Sequence, residues 1–296
     1  MDRLEILPVS LLIDERPRVR ALQRLARRLN LEFGWHYLLD LTWILRHLGN
    51  VDGKSIMDAG AGTGILQWYL ADKAAEVISV DRVSRAHLPG RFRQQFQVEG
   101  LRPTDLLNGD RLGGRTDQDN PHLAKGVGKR LVGSVRDGIR SLFVRRSSRG
   151  WVRIYNQELS NLTDISSDSL DAVAAVSALE HNEPDYLKIV IKELLRVLKP
   201  GGMLIATLAA ARDRDWFHEP SKGWCYTEAS LRRIFELPPS VPSNFHLYDR
   251  LFAELCACHE LRDNLAKFYF KSGDNGMPWG IWDPQYQPVG VIKIKR

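Results

Sequence analysis

No apolar run in the 296 residues approaches the roughly 18 that a membrane-spanning helix needs. The first residues, MDRLEILPVSLLIDERPR, scatter charges through any stretch that could serve as an apolar leader, so no signal peptide is read there. Cysteine is scarce. Cys225, Cys256 and Cys258 are an odd set with no spacing suited to a disulfide framework, and the expected compartment is a reducing cytoplasm. Cys256, Cys258 and His259 lie close together, but the paired ligand sets of a zinc site are missing and no metal is expected. There is no internal repeat and no recognised RNA- or DNA-binding motif. What remains is an ordinary globular composition, 44% hydrophobic and 26% charged, in a chain long enough to bury a substantial core.

Positive charge is not scarce, and it is unevenly placed. Residues 82–153 hold 16 Lys and Arg against 6 Asp and Glu, more net charge than the +6 of the whole chain. The basicity therefore belongs to one segment and suits an anionic partner for that segment.

The hydrophobic pattern divides the chain. Residues 17–30 repeat apolar side chains at helical spacing (Val19, Leu22, Leu25, Ala26, Leu29) with an arginine-rich outer face, and LEFGWHYLLDLTWILRHLG predicts a second helix closed by Gly49. Residues 1–49 thus read as a helical N-terminal extension. From residue 50 strands and helices alternate. KSIMDAG is a buried strand, TGILQWYLADKA a helix, and EVISVD a strand ending in Asp81. The rhythm then breaks for about 70 residues, 83–150, and includes a loop-like NGDRLGGRTDQDNP. It resumes with WVRIYNQ, LDAVAAVSA, the helix EPDYLKIVIKELLRVL, the strand MLIATLAA, the helix TEASLRRIFEL and a last strand, QPVGVIKIKR. Residues 245–270 read as mainly helical. Such alternation predicts an α/β fold: a doubly wound, mostly parallel, seven-stranded Rossmann-like sheet with helices on both faces.

The stretch IMDAGAGTG carries the chemistry. A glycine turn after the first strand of such a sheet lies at the carboxyl end of the strands, where ligands bind. Glycines let the backbone take positive φ and let a ligand approach without a Cβ in the way. The next helix offers free N–H groups. Dinucleotide sites space their glycines G-x-G-x-x-G; here Gly60, Gly62 and Gly64 give G-x-G-x-G, with Ile65 where the third glycine would fall, which disfavours a nicotinamide-dependent oxidoreductase. Asp81, ending the second strand, can accept two hydrogen bonds from ribose hydroxyls.

The set IMDAGAGTG, VISVD, SDSLDAVAAVSALEH and LLRVLKPGGMLIATL, in that order, resembles the class I S-adenosylmethionine-dependent methyltransferases, most of all those acting on small molecules and lipids. The resemblance covers residues 50–82 and 151–236. It implies that S-adenosylmethionine is the cofactor. Gly60, Gly62 and Gly64 would line its methionine and ribose, with Asp58 bracing the turn. Asp81 would hold the ribose hydroxyls and Arg82 would lie beside the adenine. Glu158, where family members more often have Asp, would face the adenine amino group, with Leu159 next to it. Ser177 and Ala178 would end the fourth strand under the cofactor, with Glu180, His181 and Asn182 facing the reaction centre. The methyl group would pass by in-line displacement to an oxygen or nitrogen of a small-molecule, glycan or lipid-linked acceptor. His181, oriented by Glu180 or Glu183, is the first candidate base. His218 is the second, in a loop where Trp216, Trp224 and Tyr226 could wall a pocket. His36 and Tyr37 could cap the cofactor or simply belong to the core.

In the insertion, residues 123–146 form a basic amphipathic pattern: Leu123, Val127, Leu131, Val135, Ile139 and Leu142 recur among lysines and arginines. Gly126, Gly128, Gly133 and Gly138 each weaken such a helix by about 1 kcal/mol relative to alanine. It suits a lid over the acceptor pocket, or a helix resting on the inner face of an anionic membrane. Nucleic acid fits less well, because Phe92, Phe96 and Phe143 are the insertion's only candidate stacking aromatics. A non-catalytic Rossmann-like protein that binds through the insertion is the alternative, and the intact glycine turn with Asp81 weighs against it.

Overall fold

The computed structural model describes residues 1–107, 150–268 and 281–296. The chain starts with strand β1 (Arg3–Ile6) and continues through α1 (Leu11–Asp14), α2 (Arg16–Leu29) and α3 (Tyr37–Leu48). Helix α2 buries Val19, Leu22, Leu25, Ala26 and Leu29, the stripe its spacing predicts. Two features depart from expectation. The first 49 residues are not wholly helical, since Leu4 and Ile6 are fully buried in an edge strand of the sheet. And α3 begins only at Tyr37: Gly34 disfavours helix, and the Tyr37 ring lies 2.6 Å from where a Cβ on Gly34 would be.

The alternating part runs β2 (Ser55–Ala59), α4 (Ile65–Asp72), β3 (Glu76–Asp81), α5 (Gly90–Gln95), β4 (Gln97–Gly100), β5 (Trp151–Asn156), β6 (Leu170–Val176), α6 (Pro184–Val197) and β7 (Leu198–Ala210). It continues with β8 (Trp216–His218), β9 (Gly223–Tyr226), α7 (Glu228–Ile234), α8 (Tyr248–Cys256), α9 (His259–Phe268) and β10 (Gln287–Ile294). The strand order is β1-β10-β7-β6-β2-β3-β5-β4, with β8 and β9 attached beside β7. From β7 to β4 the neighbours are parallel, while β10 and β1 close the other edge antiparallel.

The α/β class and the parallel sheet are as predicted, but among the described residues the sheet has ten strands rather than seven. Strand β4 and helix α5 arise inside the segment expected to carry neither. QVEG is four half-buried edge residues, too short and too polar to register as a strand. The segment around His218, expected as a loop, is a hairpin of β8 and β9. Strand β7 starts at Leu198, because a bulge takes Pro200-Gly201-Gly202 between the pairs Leu170–Leu198 and Ala172–Met203. The stretches 108–121 and 123–146 lie outside the described residues. None of the described helices is long and apolar enough to cross a membrane.

The core has two layers because strand residues alternate. Ile56, Ile205 and Ile292 face the side covered by α1–α5. Met57, Ala59, Leu204, Ala206 and Val291 face the side covered by α6 and α7. Phe92 and Phe96 belong to the first layer: Phe92 stacks on Trp68 with ring centroids 4.5 Å apart, and Phe96 lies 5.0 Å from it. Both are fully buried, so neither can stack on a nucleic-acid base. At the opposite edge α3 presses Trp43 onto the sheet, where a Cβ on Gly290 of β10 would lie 2.4 Å from the ring. The Trp43 Nε1–H donates to Glu5 Oε1 of β1 at 2.5 Å, which fixes the ring. Gly290→Ala should therefore overpack this seam and cost about 1–3 kcal/mol. Chemical denaturation reads the loss, and an unchanged midpoint would show that α3 is not seated as described.

Candidate functional site

Strands β2 and β6 are neighbours from which the chain winds outward in opposite directions, the position at which ligands bind in such sheets. A cavity of about 360 Å³ opens there. It is lined by the turn from Gly60 to Gly64, by Asp81 and Arg82 after β3, by Glu158 and Leu159 after β5, by Ser177, Ala178, His181 and Asn182 after β6, and by Tyr37 and Leu41 of α3.

The turn has a geometry only glycine permits at its first position. Gly60 has φ +75, and a Cβ there would lie 2.5 Å from the Cβ of Ala178. The turns after β2 and β6 thus touch, backbone to side chain. The N–H groups of Gly60 and Ala61 both donate to Val80 O at 2.9 Å. The Gly62 N–H donates to Asp81 Oδ2 at 2.7 Å, and Asp81 Oδ1 accepts the Val83 N–H at 2.8 Å. Asp81 therefore holds the turn while each oxygen keeps a lone pair for a ligand.

Two residues that sequence reasoning missed do most of the bracing. Gln67, fully buried at the third position of α4, donates from Nε2 to the carbonyls of Gly64 (3.1 Å), Gly62 (3.3 Å) and Ala61 (3.4 Å). Its Oε1 accepts the Ser79 hydroxyl at 2.7 Å, and its N–H donates to Asp58 Oδ2 at 3.0 Å. A lone glutamine at that position of an otherwise apolar helix is the available signal. Arg85, 5% exposed, donates to Gly62 O (3.2 Å), Ser79 O (2.7 Å), Tyr155 O (3.0 Å) and the Ser79 hydroxyl. It follows β3 in a segment crowded with arginines, and no pattern sets it apart. Asp58 braces from beneath, as expected. Burial pushes its carboxyl up to about 7, against the attraction of Arg85 and the Gln67 N–H.

After β6, Ser177 sits at φ +44, a strained conformation for a residue with a side chain. Its N–H donates to Thr207 O at 3.1 Å, and its hydroxyl to Glu180 Oε1 at 2.5 Å. Beyond Ser177 lies a second, smaller cavity of about 120 Å³. It shares Tyr37, Ser177 and His181 with the first and adds Trp35, His36, Glu180 and Tyr286.

Residues 24–237 match the model of the methyltransferase-domain family. The chain belongs to that family. This methyltransferase is also similar in fold to solved structures of low sequence identity. One is the YcgJ protein of Bacillus subtilis, 15% identical, covering 87% of this chain and 98% of that one, TM-score 0.44. Another is a Burkholderia thailandensis 1,6-didemethyltoxoflavin-N1-methyltransferase bound to 1,6-didemethyltoxoflavin and S-adenosylhomocysteine, 14% identical, covering 96% and 87%, TM-score 0.42. A third is the magnesium protoporphyrin IX methyltransferase of Synechocystis, 15% identical, covering 96% and 91%, TM-score 0.40. No curated protein matches the chain.

The methyltransferase brings nearly all of the sequence-predicted residues to one cavity: Asp58, Gly60, Gly62, Gly64, Asp81, Arg82, Glu158, Leu159, Ser177 and His181. Glu158 and Arg82 are exposed at its mouth. His181 is exposed, and its Nδ1 donates to Lys222 O at 2.9 Å, which leaves Nε2 as the free nitrogen of the neutral ring. His218 is not brought to either cavity. It is buried, its Nδ1 pairs with the Ser221 hydroxyl at 2.7 Å, and burial holds its pKa below the usual histidine range. Trp216, Trp224 and Tyr226 line neither cavity; Tyr226 is fully buried, with its hydroxyl 3.4 Å from Asn182 O. Among the described residues no group of three or more His, Cys, Asp or Glu is placed to hold a metal ion.

The raised Asp58 carboxyl has a consequence for stability. Its folded pKa, about 7, exceeds the unfolded 3.8, so the folded protein binds the proton more tightly. The stability linked to that proton is full below about 4 and lost as pH rises through 7. Asp58→Asn should remove this dependence, so its melting temperature should gain on the wild type between pH 4.5 and 7.5. An equal difference at the two pH values would contradict it.

Proposed function

We propose that this chain is an S-adenosylmethionine-dependent methyltransferase with a small-molecule acceptor. One observation carries the reading: a turn with glycine at every second position, Gly60, Gly62 and Gly64, at the β2–β6 junction, facing an Asp81 carboxylate that keeps lone pairs free. The residues fit the cofactor. Asp81 suits the two ribose hydroxyls, Arg82, Glu158 and Leu159 suit the adenine end, and the Gly60–Gly64 backbone suits the methionine end. Asp58, Gln67 and Arg85 then act through the turn they hold.

When bound, the cofactor supplies a methyl group on a positively charged sulfur that is already a good leaving group. The protein's task is to aim an acceptor atom at that methyl along the line opposite the sulfur. Such positioning supplies roughly 7–11 kcal/mol of the barrier. The second cavity suits the acceptor, because it adjoins the first through Ser177, Tyr37 and His181. Nε2 of His181 is available to take a proton from an acceptor that must shed one, and solvent can remove it. His218, tied to Ser221 behind that wall, is assigned no proton transfer. The 123–146 segment remains the part of the chain suited to a lid or to an anionic membrane surface.

Calorimetric titration tests the cofactor assignment: S-adenosylmethionine and S-adenosylhomocysteine should bind with micromolar affinity and NAD should not. Binding of none of them would turn the reading toward a non-catalytic binding protein. His181→Ala should lower turnover of a proton-shedding acceptor by about 10²–10⁴-fold, far more than it weakens S-adenosylhomocysteine binding. Wild-type turnover in that variant would remove His181 from the mechanism.

A further inference from the structure

The second cavity contains a group the cofactor reading does not use. Glu180 is 4% exposed. Its Oε1 accepts the Ser177 hydroxyl, but its Oε2 is buried with no hydrogen-bond partner among the described residues. A buried carboxylate oxygen left unpaired is costly unless something else supplies the partner. Among the described residues no lysine or arginine forms an ion pair with it. The groups around it are His181 on its own turn, His36, Tyr37, Cys225, Tyr226, Tyr286 and the backbone of Gly223, where a Cβ would lie 3.1 Å from Glu180 Cγ. His36 is occupied on its other side, its Nδ1 2.5 Å from the buried Asp40 carboxylate.

The walls are aromatic and set at steep angles to one another. Trp35 lies 5.3 Å from Tyr286 at 59° and 4.6 Å from His36 at 80°, and His36 lies 5.7 Å from Tyr286 at 77°. Rings that corner a small space around a carboxylate attract a cation, through the negative ring faces and the carboxylate together. We propose that the acceptor of this enzyme is an amine, held with its nitrogen against Glu180 inside the Trp35–His36–Tyr286 corner.

The inference rests on the methyltransferase reading and adds the acceptor class. A protonated amine enters, and its N–H donates to Glu180 Oε2. It loses one proton to Nε2 of His181. The nitrogen lone pair then forms the N–CH₃ bond while the S–CH₃ bond breaks and its electron pair stays on sulfur. The products are a methylated ammonium and neutral S-adenosylhomocysteine. Positive charge thus moves from the sulfur into the aromatic corner, where Glu180 stabilises it more in the transition state than before reaction. A carboxylate or phosphate acceptor would instead place an anion against Glu180. Burial holds the Glu180 carboxyl above its usual range, with His181, the Ser177 hydroxyl, its own backbone N–H and His36 opposing, and an arriving cation favours the ionised form.

The test uses three probes of nearly one shape, isopropylammonium, 2-propanol and acetate, added to the full chain saturated with S-adenosylhomocysteine and read by saturation-transfer NMR. Isopropylammonium should bind and the other two should not. Glu180→Gln, which keeps the bond to Ser177, should weaken the cation at least tenfold and leave S-adenosylhomocysteine affinity unchanged. Equal binding of 2-propanol or acetate by the wild type needs no variant and would overturn the amine assignment alone, as would an unchanged cation affinity in Glu180→Gln. Failure of S-adenosylhomocysteine to bind at all would overturn the cofactor reading, and the acceptor role of the corner with it.

Discussion

The amide of Gln67 is the interaction on which the site depends. A tight glycine turn brings several carbonyls together on its inner side. One side-chain amide gathers those of Ala61, Gly62 and Gly64. Its own carbonyl is fixed by Ser79 of the neighbouring strand, and Arg85 ties the same turn to β3 and β5. The turn is thereby locked to helix α4 and to strands β3 and β5. Its outward face, made of glycine backbone and the Asp81 carboxylate, is left for a ligand. A loop with these contacts unmade would have to be ordered by the ligand itself, at a cost in affinity.

The same economy of contacts governs the seam between the two cavities. Gly60 and Ala178 meet at a distance that excludes any larger residue at the first. This brings Ser177, in its strained conformation, between the large cavity and the small one. Ser177 holds one oxygen of Glu180, so the other is directed by position alone. The chemistry then follows from charge. A sulfonium beside the larger cavity and a carboxylate in the smaller one favour a reaction in which positive charge crosses the seam.

The sequence displayed the ligand side of the site well and the support beneath it poorly. The G-x-G-x-G turn, Asp81 and the strand ends are local patterns, and residue spacing reveals them directly. Gln67 is local as well, and only its isolation in an apolar helix betrays it. Arg85 lies just past Asp81, but nothing marks it among its neighbouring arginines; Trp35 and Tyr286 come from opposite ends of the chain, and no spacing rule connects them. In the fold, the central strands stood out because burial on both faces gives apolar runs, and the helices because one buried face gives an apolar repeat at helical spacing. Strands β1 and β4 did not, since edge strands of four residues carry little periodic signal. His218 looked catalytic in the sequence because it follows a central strand. The β8–β9 hairpin turns it against Tyr286 and Ser221 instead, behind the cavity wall.

On this assignment two adjoining cavities share one seam, with cofactor on one side and acceptor on the other. The most direct measurement is a crystal structure of the full chain with S-adenosylhomocysteine. The ribose hydroxyls should lie on Asp81, the adenine between Arg82 and Glu158, and the sulfur at the seam formed by Tyr37, Ser177 and His181. A ligand lying reversed, or with its sulfur away from that seam, would contradict the assignment.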